Sequence, residues 1–328
     1  MMQSNRVGKN LRVAPLNPKK ERVLIITHYD VDGIASAAIV LKKHPDADLM
    51  IARPHDLAEK LIVVLKNPPD RIYILDIALN DPKARERIKK LAKKARVSIV
   101  DHHPHYPHFL PHLFTHSTSK STSQLTSMKV KRDRYLAALA AQDARLFREV
   151  RWDSELLNYA LRCGEVDDDF RIRVARELAK GLKMSQIPEV VEAAERGKKK
   201  LAEILEMAKK REISVTPIFS VVHIEETRGF GGMVAGELIK DKKLVVVMSE
   251  EKGKTMFAAR KHKDIPIDVG RMVNKVCAQL GGEGGGHPYA AGGSIPSKRR
   301  EEFITLITEY IEERLKESRD EIGIKRGG

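Results

Sequence analysis

The chain has 328 residues, enough for two domains with separate cores, and its 42% hydrophobic and 32% charged residues are typical of a soluble globular protein. Its net charge of +15 favours an anionic partner such as nucleic acid, although a generally basic surface would give the same total. No apolar run reaches the roughly 20 residues that span a bilayer, and the basic N-terminus lacks the apolar segment of a secretory signal, so we expect a cytoplasmic protein without membrane contact.

Strands and helices alternate over the first hundred residues. A basic arm, residues 1–20, precedes Arg22–Thr27, a continuous apolar run of the kind that is buried on both faces of a sheet. Further strands are predicted over 47–52, 71–75 and 97–100, with helices starting at Ile34, over 56–66 and from Asp81 and Pro82 onward. This alternation predicts a parallel sheet with helices on both faces.

The pattern becomes helical after Ser117. The hydroxyl-rich run 117–123 is typical of a loop or of a helix start, and helices are predicted over 134–146 and throughout 153–211. The last part of this region, Glu189–Arg211, is long and charged with a thin apolar stripe. We interpret it as a connector between two domains.

A second α/β unit is predicted from Ile213 onward. Its strands are predicted over 220–224, 244–248 and 255–260, and its helices over 232–240, 268–280 and 298–317. The fold class is therefore α/β, with an N-terminal parallel-sheet domain and a smaller C-terminal α/β domain joined by a helical connector. The predicted boundaries are a basic arm over 1–20, a first domain over 21–185, a connector over 186–212 and a second domain over 213–328.

Acidic and imidazole side chains gather where the predicted strands end. They are His28, Asp30, Asp32, Asp76, Asp101, His102 and His103, with Asp143 inside a helix. The carboxyl ends of parallel strands open at one edge of a sheet, so the strand-end residues should meet there. That many acids would repel one another unless two divalent metal ions neutralised them, and such a pair would also clamp a phosphate. Any one of these acids alone is equally explained by a helix cap or a surface charge, and for Asp143 that explanation is favoured.

A glycine-rich stretch follows near the C-terminus, with seven glycines between residues 281 and 293. Such a stretch leaves backbone N–H groups accessible and permits close approach of a phosphate, although a flexible loop is the alternative. His287 within it favours binding. Arg260 would supply positive charge, with Lys261 and Arg228 as further candidates, because guanidinium pairs with phosphate through two hydrogen bonds.

Taken in order, these residues resemble the motifs of a known family. His28-x-Asp30-x-Asp32-Gly33, Asp76, Asp101-His102-His103 and Asp143 resemble the four motifs of the DHH phosphoesterase superfamily. The run Gly284-Gly-Gly-His-Pro-x-Ala-Ala-Gly-Gly293 resembles the signature of its usual C-terminal partner, the DHHA1 domain. The Asp-His-His triplet alone is a weak signal, whereas the ordered set is strong and covers nearly the whole chain. The pattern is most similar to RecJ-like and nanoRNase-like members.

The resemblance implies a role for each matched residue. One metal ion would be held by His28, Asp30 and Asp76, and the other by Asp32, Asp76, His102 and Asp143, with Asp76 bridging. The family metal is typically manganese, with magnesium as an alternative. Asp101 would orient the histidines and His103 would approach the substrate phosphate. The nucleotide end of the substrate would be bound by Arg260, Gly284, Gly285, Gly286, His287, Gly292 and Gly293.

Three functions remain open at this point. The first is an exonuclease that releases nucleoside monophosphates from single-stranded RNA or DNA or from short oligonucleotides, in replication, repair or RNA turnover. The second is a phosphoesterase for small substrates such as cyclic dinucleotides, phosphoadenosine phosphate or pyrophosphate. The third is a scaffold that binds a replication or repair protein, with the arm before Lys20 and the tail after Glu317 as candidate docking segments. The positive charge weakly favours the first.

Overall fold

Two sheets organise the chain, a five-stranded one in its N-terminal third and a six-stranded one in its C-terminal third. The computed structural model describes residues 20–103, 114–140, 148–162, 166–225, 229–240 and 242–326. Within these ranges, no helix combines the length and the apolar character that crossing a membrane requires.

The N-terminal sheet is wholly parallel, with the strand order β2-β1-β3-β4-β5. Its strands are β1 (Val23–Thr27), β2 (Asp48–Ile51), β3 (Arg71–Leu75), β4 (Arg96–Asp101) and β5 (Phe114–His116). The chain passes to one side of β1 to form β2 and to the other side to form β3, so a crevice opens at the carboxyl ends of β1 and β3. The prediction of a parallel sheet is confirmed, although the short strand β5 was not part of it.

Alternate residues of β1 face opposite sides of the sheet, which is why this strand is a continuous apolar run. Val23 and Ile25 pack on one side, and Leu24 and Ile26 pack on the other. The first side is covered by α1 (Val31–Lys43), α4 (Thr122–Lys129), α5 (Arg134–Leu139), α6 (Arg148–Arg162) and α7 (Asp168–Lys180), and the second by α2 (Leu57–Lys66) and α3 (Pro82–Ala92). Helices therefore cover both faces, as predicted.

The region predicted to be helical throughout, 153–211, contains three α-helices in the part that the structure describes, and caps mark where they begin and end. Asp167 begins α7, its side chain accepting a hydrogen bond from Phe170 N at 2.7 Å. Gly181 ends α7 in the left-handed conformation, with φ of 100°, and Pro188 fits the first turn of the next helix. The helical character of the region is as predicted, but the positions of the breaks were not predicted because apolar periodicity does not register caps.

The last of these helices, α8 (Pro188–Lys210), packs into both cores. Val190 and Ala194 belong to the N-terminal core, whereas Leu201 and Ala208 pack against the C-terminal sheet. The helix therefore has the position expected of a connector. The domain boundaries themselves stay a prediction.

The C-terminal sheet has the order β10-β11-β9-β8-β7-β6, and β7 with β8 is its parallel pair. Its strands are β6 (Glu212–Thr216), β7 (Phe219–His223), β8 (Leu244–Glu251), β9 (Lys254–Lys261), β10 (Glu283–His287) and β11 (Ala290–Pro296). The helix α9 (Gly231–Leu238) connects β7 to β8, while α10 (Val269–Gln279) and α11 (Arg300–Arg326) follow β9 and β11. This is the predicted second α/β domain, with β6, β10 and β11 as strands that were not predicted.

Candidate active site

The turn between β1 and α1 carries the first site residues. The Asp30 side chain caps α1 by accepting a hydrogen bond from Gly33 N at 3.1 Å, and Thr27 Oγ1 donates to Gly33 O at 2.7 Å. A Cβ atom at position 33 would lie 2.3 Å from the carbonyl oxygen of His28, so glycine is required there. The tight turn places His28, Asp30 and Asp32 at the crevice.

Asp76 follows β3 with an unusual backbone. Its φ is 59°, in the left-handed region, which for a non-glycine residue costs roughly 1–3 kcal/mol. Its N–H donates to Val100 O at 3.0 Å, which fixes the turn, and its side chain is buried at 2% exposure. The neighbouring strand therefore holds a strained residue in place, with its carboxylate beneath the crevice.

Among the described residues, three groups of possible metal ligands share Asp76 at this edge, and two of them consist of residues that were predicted to bind metal. One group is His28, Asp30 and Asp76, and the other is Asp32, Asp76 and His102; within each group the ligand atoms lie within 4.8 Å of one another. His28 Nδ1 lies 3.1 Å from Asp30 Oδ2 and 3.7 Å from Asp76 Oδ2. His102 Nε2 lies 3.5 Å from Asp76 Oδ1 and 3.7 Å from Asp32 Oδ2. The structure thus brings together five residues from three segments of the sequence, around residues 30, 76 and 102.

The N-terminus of α4 binds the acids from above. Thr122 N and Ser123 N donate to the two carboxylate oxygens of Asp32 at 2.8 and 2.7 Å, and Thr122 Oγ1 donates to Asp76 Oδ1 at 2.9 Å. Sequence reasoning missed these contacts, since it took the hydroxyl-rich run only as a loop or helix start. The available signal was the spacing of Ser121 and Gln124, which form a capping box and so mark the first turn of a helix.

Crowding of the buried acids changes their protonation. Burial, followed by the charge of Asp30, raises the pKa of Asp32 to about 7. Burial and the charges of Asp32 and Asp30 raise the pKa of Asp76 well above its ordinary value. Burial, with the charge of His103 added, lowers the pKa of His102 to about 4, so its imidazole is neutral near pH 7. A neutral imidazole among carboxylates is the state in which histidine binds a metal ion.

The residues present fit a pair of divalent cations. Buried carboxylates that repel one another lack a compensating Lys or Arg among the described ion pairs of this cluster. In addition, His28 Nδ1 is buried and makes no hydrogen bond within the described part of the chain. A mixed set of carboxylate and imidazole donors suits manganese, and carboxylates suit magnesium. Asp143, the further predicted ligand, lies outside the described residues.

Asp101 and His103 form a separate pair beside this cluster. His103 Nδ1 lies 2.7 Å from Asp101 Oδ1, and Asp101 is 1% exposed. Burial disfavours the charged imidazole, but the charge and the hydrogen bond of Asp101 outweigh it and raise the pKa of His103. The same contact lowers the pKa of Asp101 against the effect of its own burial. His103 is therefore held in place through its Nδ1.

The C-terminal domain reaches the same centre through His287. Its ring lies 5.2 Å from that of His102 and 5.8 Å from that of His103, measured between centroids. Burial, and then the charge of His103, lowers the pKa of His287. The crevice of the first domain is therefore walled on one side by a strand of the second.

Arg260 lies behind His287 without an acidic partner among the described residues. It faces Ala290 in the register of β9 and β11, and its Nη1 donates to Ala259 O at 2.9 Å. Burial, with the charge of Arg162 added, lowers the pKa of Arg260 to about 10.

A Cβ atom at position 232 would lie 2.6 Å from Arg260 Nη2, so Gly232 makes room for the guanidinium. A partly buried cation left without a counter-charge is suited to an anionic ligand. Arg228, the further candidate, lies outside the described residues.

Comparison with known families assigns the two domains. Residues 22–146 match the DHH family, N-terminal domain, and residues 214–313 match the DHHA1 domain. The chain belongs to the DHH/DHHA1 phosphoesterase superfamily. The ordered motifs predicted this membership, and it is confirmed.

Known members of the superfamily are distant in sequence. An uncharacterized protein of Methanocaldococcus jannaschii is 25% identical over 197 residues, covering 56% of this chain and 39% of its own. RecJ of Thermus thermophilus, solved with Mn²⁺, has a TM-score of 0.62 and 17% identity over 89% of this chain and 52% of its own. A pGpG-specific phosphodiesterase of Vibrio cholerae has a TM-score of 0.55 and 15% identity over 90% of this chain and 100% of its own. This chain thus spans about two fifths of the Methanocaldococcus protein and half of the Thermus protein.

The glycine-rich signature of the DHHA1 domain is a β-hairpin, formed by β10 and β11, and not a flexible loop. Its glycines are required by close packing: a Cβ atom on Gly293 would lie 2.3 Å from Glu283 O, and one on Gly284 would lie 2.6 Å from Val273 Cγ1 of α10. Gly286 has a φ of 149° and Gly285 has open space beside it. Binding of substrate by Gly284, Gly285, Gly286, Gly292 and Gly293 stays a prediction.

Proposed function

We propose that this DHH/DHHA1 protein is a two-metal phosphodiesterase that removes nucleoside monophosphates from one end of single-stranded nucleic acid or short oligonucleotides. The observation that carries the proposal is the sharing of buried Asp76 by two ligand groups, each within 4.8 Å. One shared carboxylate between two groups is the arrangement that a pair of bridged cations needs. Manganese is the proposed ion, with magnesium as the alternative.

The residues around the proposed ions have separate tasks. When bound, the two ions would activate a water and neutralise charge on the phosphate. His28, Asp30, Asp32, Asp76 and His102 would hold them, together with Asp143. His103, whose protonated form is favoured by Asp101, would donate a hydrogen bond to a phosphate oxygen or to the leaving oxygen. Thr122 would keep the Asp76 carboxylate oriented.

The second domain supports action at a chain end. His287 lies against His102 and His103, so the space beside the acids is bounded on that side. Arg260 offers a guanidinium nearby that has no acidic partner among the described residues and is suited to a terminal phosphate. The net charge of +15 favours a polyanionic substrate over a small one.

A dinucleotide or another small phosphate is the second candidate substrate. The fold is shared over the whole length of a phosphodiesterase described as specific for pGpG. A short substrate would also need no extended binding surface beyond the hairpin. Binding of a replication or repair protein is compatible with either activity.

A single substrate panel tests the proposal. The full chain is incubated with each of five substrates: end-labelled single-stranded RNA, end-labelled single-stranded DNA, a dinucleotide, a cyclic dinucleotide and pyrophosphate. Each reaction is run with Mn²⁺, after the metal is removed by chelation, and after Mn²⁺ is restored. We expect a ladder of products shortened from one end, lost on chelation and regained with the ion. Cleavage of pyrophosphate alone would favour the small-substrate alternative. Internal cuts would contradict an exonuclease. If no substrate were hydrolysed, a scaffold that binds a replication or repair protein would be the remaining function.

A further inference from the structure

A cavity lies where three helices of the DHH domain end. The helices are α1, α4 and α7, and the cavity has a volume of about 540 Å³. Part of its wall is apolar and is formed by Leu41, Pro45 and Ala179. Small-molecule sites in proteins are typically of this size, roughly 300–1,000 Å³, and combine an apolar wall with a few polar groups. We refer to it as the helix-end cavity.

The helix-end cavity is separate from the cluster of acids and histidines. Asp30 caps the start of α1, whereas Leu41 and Lys42 belong to its last turn. Because a helix rises about 1.5 Å per residue, the 13 residues of α1 place the two sites about 20 Å apart. Likewise, α4 begins with Thr122 at the acids and ends next to the cavity. A ligand in the cavity would therefore not contact the proposed metal ligands.

Positive charge dominates the rest of the wall. Among the described residues, one acid lines it, Asp133, against the basic side chains of Lys42, Lys131, Arg132, Arg176 and Lys180. Two of the basic groups are neutralised, since Lys42 Nζ lies 2.5 Å from Asp133 Oδ2 and Lys180 Nζ lies 2.6 Å from Glu177 Oε1. The other three form no ion pair with any residue that the structure describes.

Backbone carbonyl groups hold two of these three cations in position. Lys131 Nζ donates to Lys42 O at 2.9 Å, and Arg176 Nη2 donates to Ala47 O at 3.0 Å. A carbonyl oxygen carries only a partial negative charge, so it positions a cation without neutralising it. Arg132 is exposed and makes neither a hydrogen bond nor an ion pair within the described ranges. The cavity thus has a surplus of positive charge that an anionic ligand would neutralise.

A further acid, Asp46, lies near enough to Arg176 to interact with it. The hydrogen bond of Asp46 to Lys20, at 2.5 Å, is the main cause of the lowered pKa of Asp46, and the charge of Arg176 contributes less. Asp46 is therefore already paired with Lys20, and the surplus of charge at the cavity remains.

We propose that the helix-end cavity is a second ligand site, which binds a nucleoside phosphate at a distance from the catalytic cluster. The phosphates would lie against Lys131, Arg132 and Arg176, because guanidinium binds phosphate through two hydrogen bonds. The base would lie against the apolar wall, including Leu41 and Ala179, which an inorganic phosphate would leave unused. The inference does not rest on the proposed reaction, since the cavity and the metal-ligand groups have no residue in common.

Calorimetry on the chelator-treated full chain tests this site without hydrolysis. The probes are ADP, pyrophosphate, which lacks the nucleoside, and adenosine, which lacks the phosphates. ADP should bind more tightly than either fragment. In the double variant Lys131→Ala/Arg132→Ala, its dissociation constant at the cavity should rise by roughly 10- to 100-fold, because hydrogen bonds to charged groups are lost. Arg132→Lys, which keeps the charge, should weaken ADP binding less than Arg132→Ala.

Lys93 and Lys94 supply the matched control. They are also two consecutive, exposed basic residues directly after the end of a helix, in this case α3, and they do not line the cavity. Lys93→Ala/Lys94→Ala should bind ADP as the unmodified chain does. ADP held at the glycine-rich hairpin would be unaffected by either double variant, so the readout is the one ADP per chain that only the cavity variant loses. Thermal unfolding verifies that both variants are folded.

Equal ADP binding by the two double variants, whether retained or lost in both, would overturn the inference, as would a lack of ADP binding by the unmodified chain. Pyrophosphate that bound as tightly as ADP would overturn the choice of a nucleoside phosphate. Failure of the whole substrate panel with a preserved difference between the two double variants would overturn the proposed reaction and support the second site.

Discussion

The imidazole rings of His103 and His287 lie nearly parallel, 27° apart in plane and 5.8 Å between centroids, although one belongs to the DHH domain and the other to the DHHA1 domain. Because these two rings are so close, the DHHA1 domain forms part of the wall around the cluster of acids and histidines in the DHH domain. The relative placement of the two domains therefore decides the space left for a phosphate beside His103.

Asp76→Asn is expected to abolish hydrolysis while the protein stays folded. Asparagine keeps the size of the side chain and tolerates the left-handed backbone at this position, but it removes the charge that both ligand groups share. Activity is measured with Mn²⁺ and folding by thermal unfolding. Asp46→Asn, at an exposed aspartate, is the control. Retained manganese-dependent hydrolysis in Asp76→Asn would rule out the bridging role.

Thr122→Val should reduce activity or metal affinity by about 10- to 100-fold, since it removes the hydroxyl that donates to Asp76. Thr122→Ser retains the hydroxyl and should stay close to the unmodified chain. Titration with Mn²⁺, followed by activity at saturation, separates affinity from turnover. Equal behaviour of the two variants would show that the hydroxyl has no positioning role.

Asp101→Asn should shift the alkaline limb of the pH–rate profile toward lower pH. Asp101 raises the pKa of His103, so its loss lowers that pKa and deprotonates the imidazole sooner as pH rises. The measurement is kcat as a function of pH. A profile that falls in height without moving would indicate that Asp101 orients His103 but does not set its charge.

The metal-free protein should lose stability as pH rises from about 4 to about 7. Asp32 has a folded-state pKa of about 7 against an ordinary value of 3.8, so its protonated form is favoured in the fold, and that stabilisation is lost as the proton leaves. The raised pKa of Asp76 acts in the same direction. The pKa of His102, lowered to about 4, opposes both acids over the lower part of this interval, so the loss of stability should be steeper toward pH 7. Because metal ions displace these protons, the increase in Tm caused by Mn²⁺ should grow over the same interval. A pH-independent increase would contradict this.

Gly293→Ala should destabilise the protein by about 1–3 kcal/mol, because the added methyl group would meet Glu283 O of the paired strand. Gly285→Ala, with open space beside the residue, should leave stability nearly unchanged. Thermal unfolding compares the two.

The architecture followed from the sequence where the signal is local. The sequence correctly predicted the positions of the buried strands around Ile25 and Ile74, of the helix cap at Asp81 and of the acids at the carboxyl ends of the strands. The contacts of Thr122 with Asp32 and Asp76 could not be predicted, because they join segments 90 and 46 residues apart through a helix terminus. Similarly, the glycine-rich composition did not predict that β10 and β11 pair as a hairpin, because the hairpin depends on the packing of Gly284 against α10.

The left-handed backbone of Asp76 also limits how this position can change over evolutionary time. Most L-residues would meet a conformational penalty there before any question of chemistry arises. Substitution of this aspartate is therefore most easily tolerated when the new residue is asparagine or glycine. A descendant of this protein that had abandoned catalysis would be expected to carry one of those two residues after β3, and the main chain would record the former function.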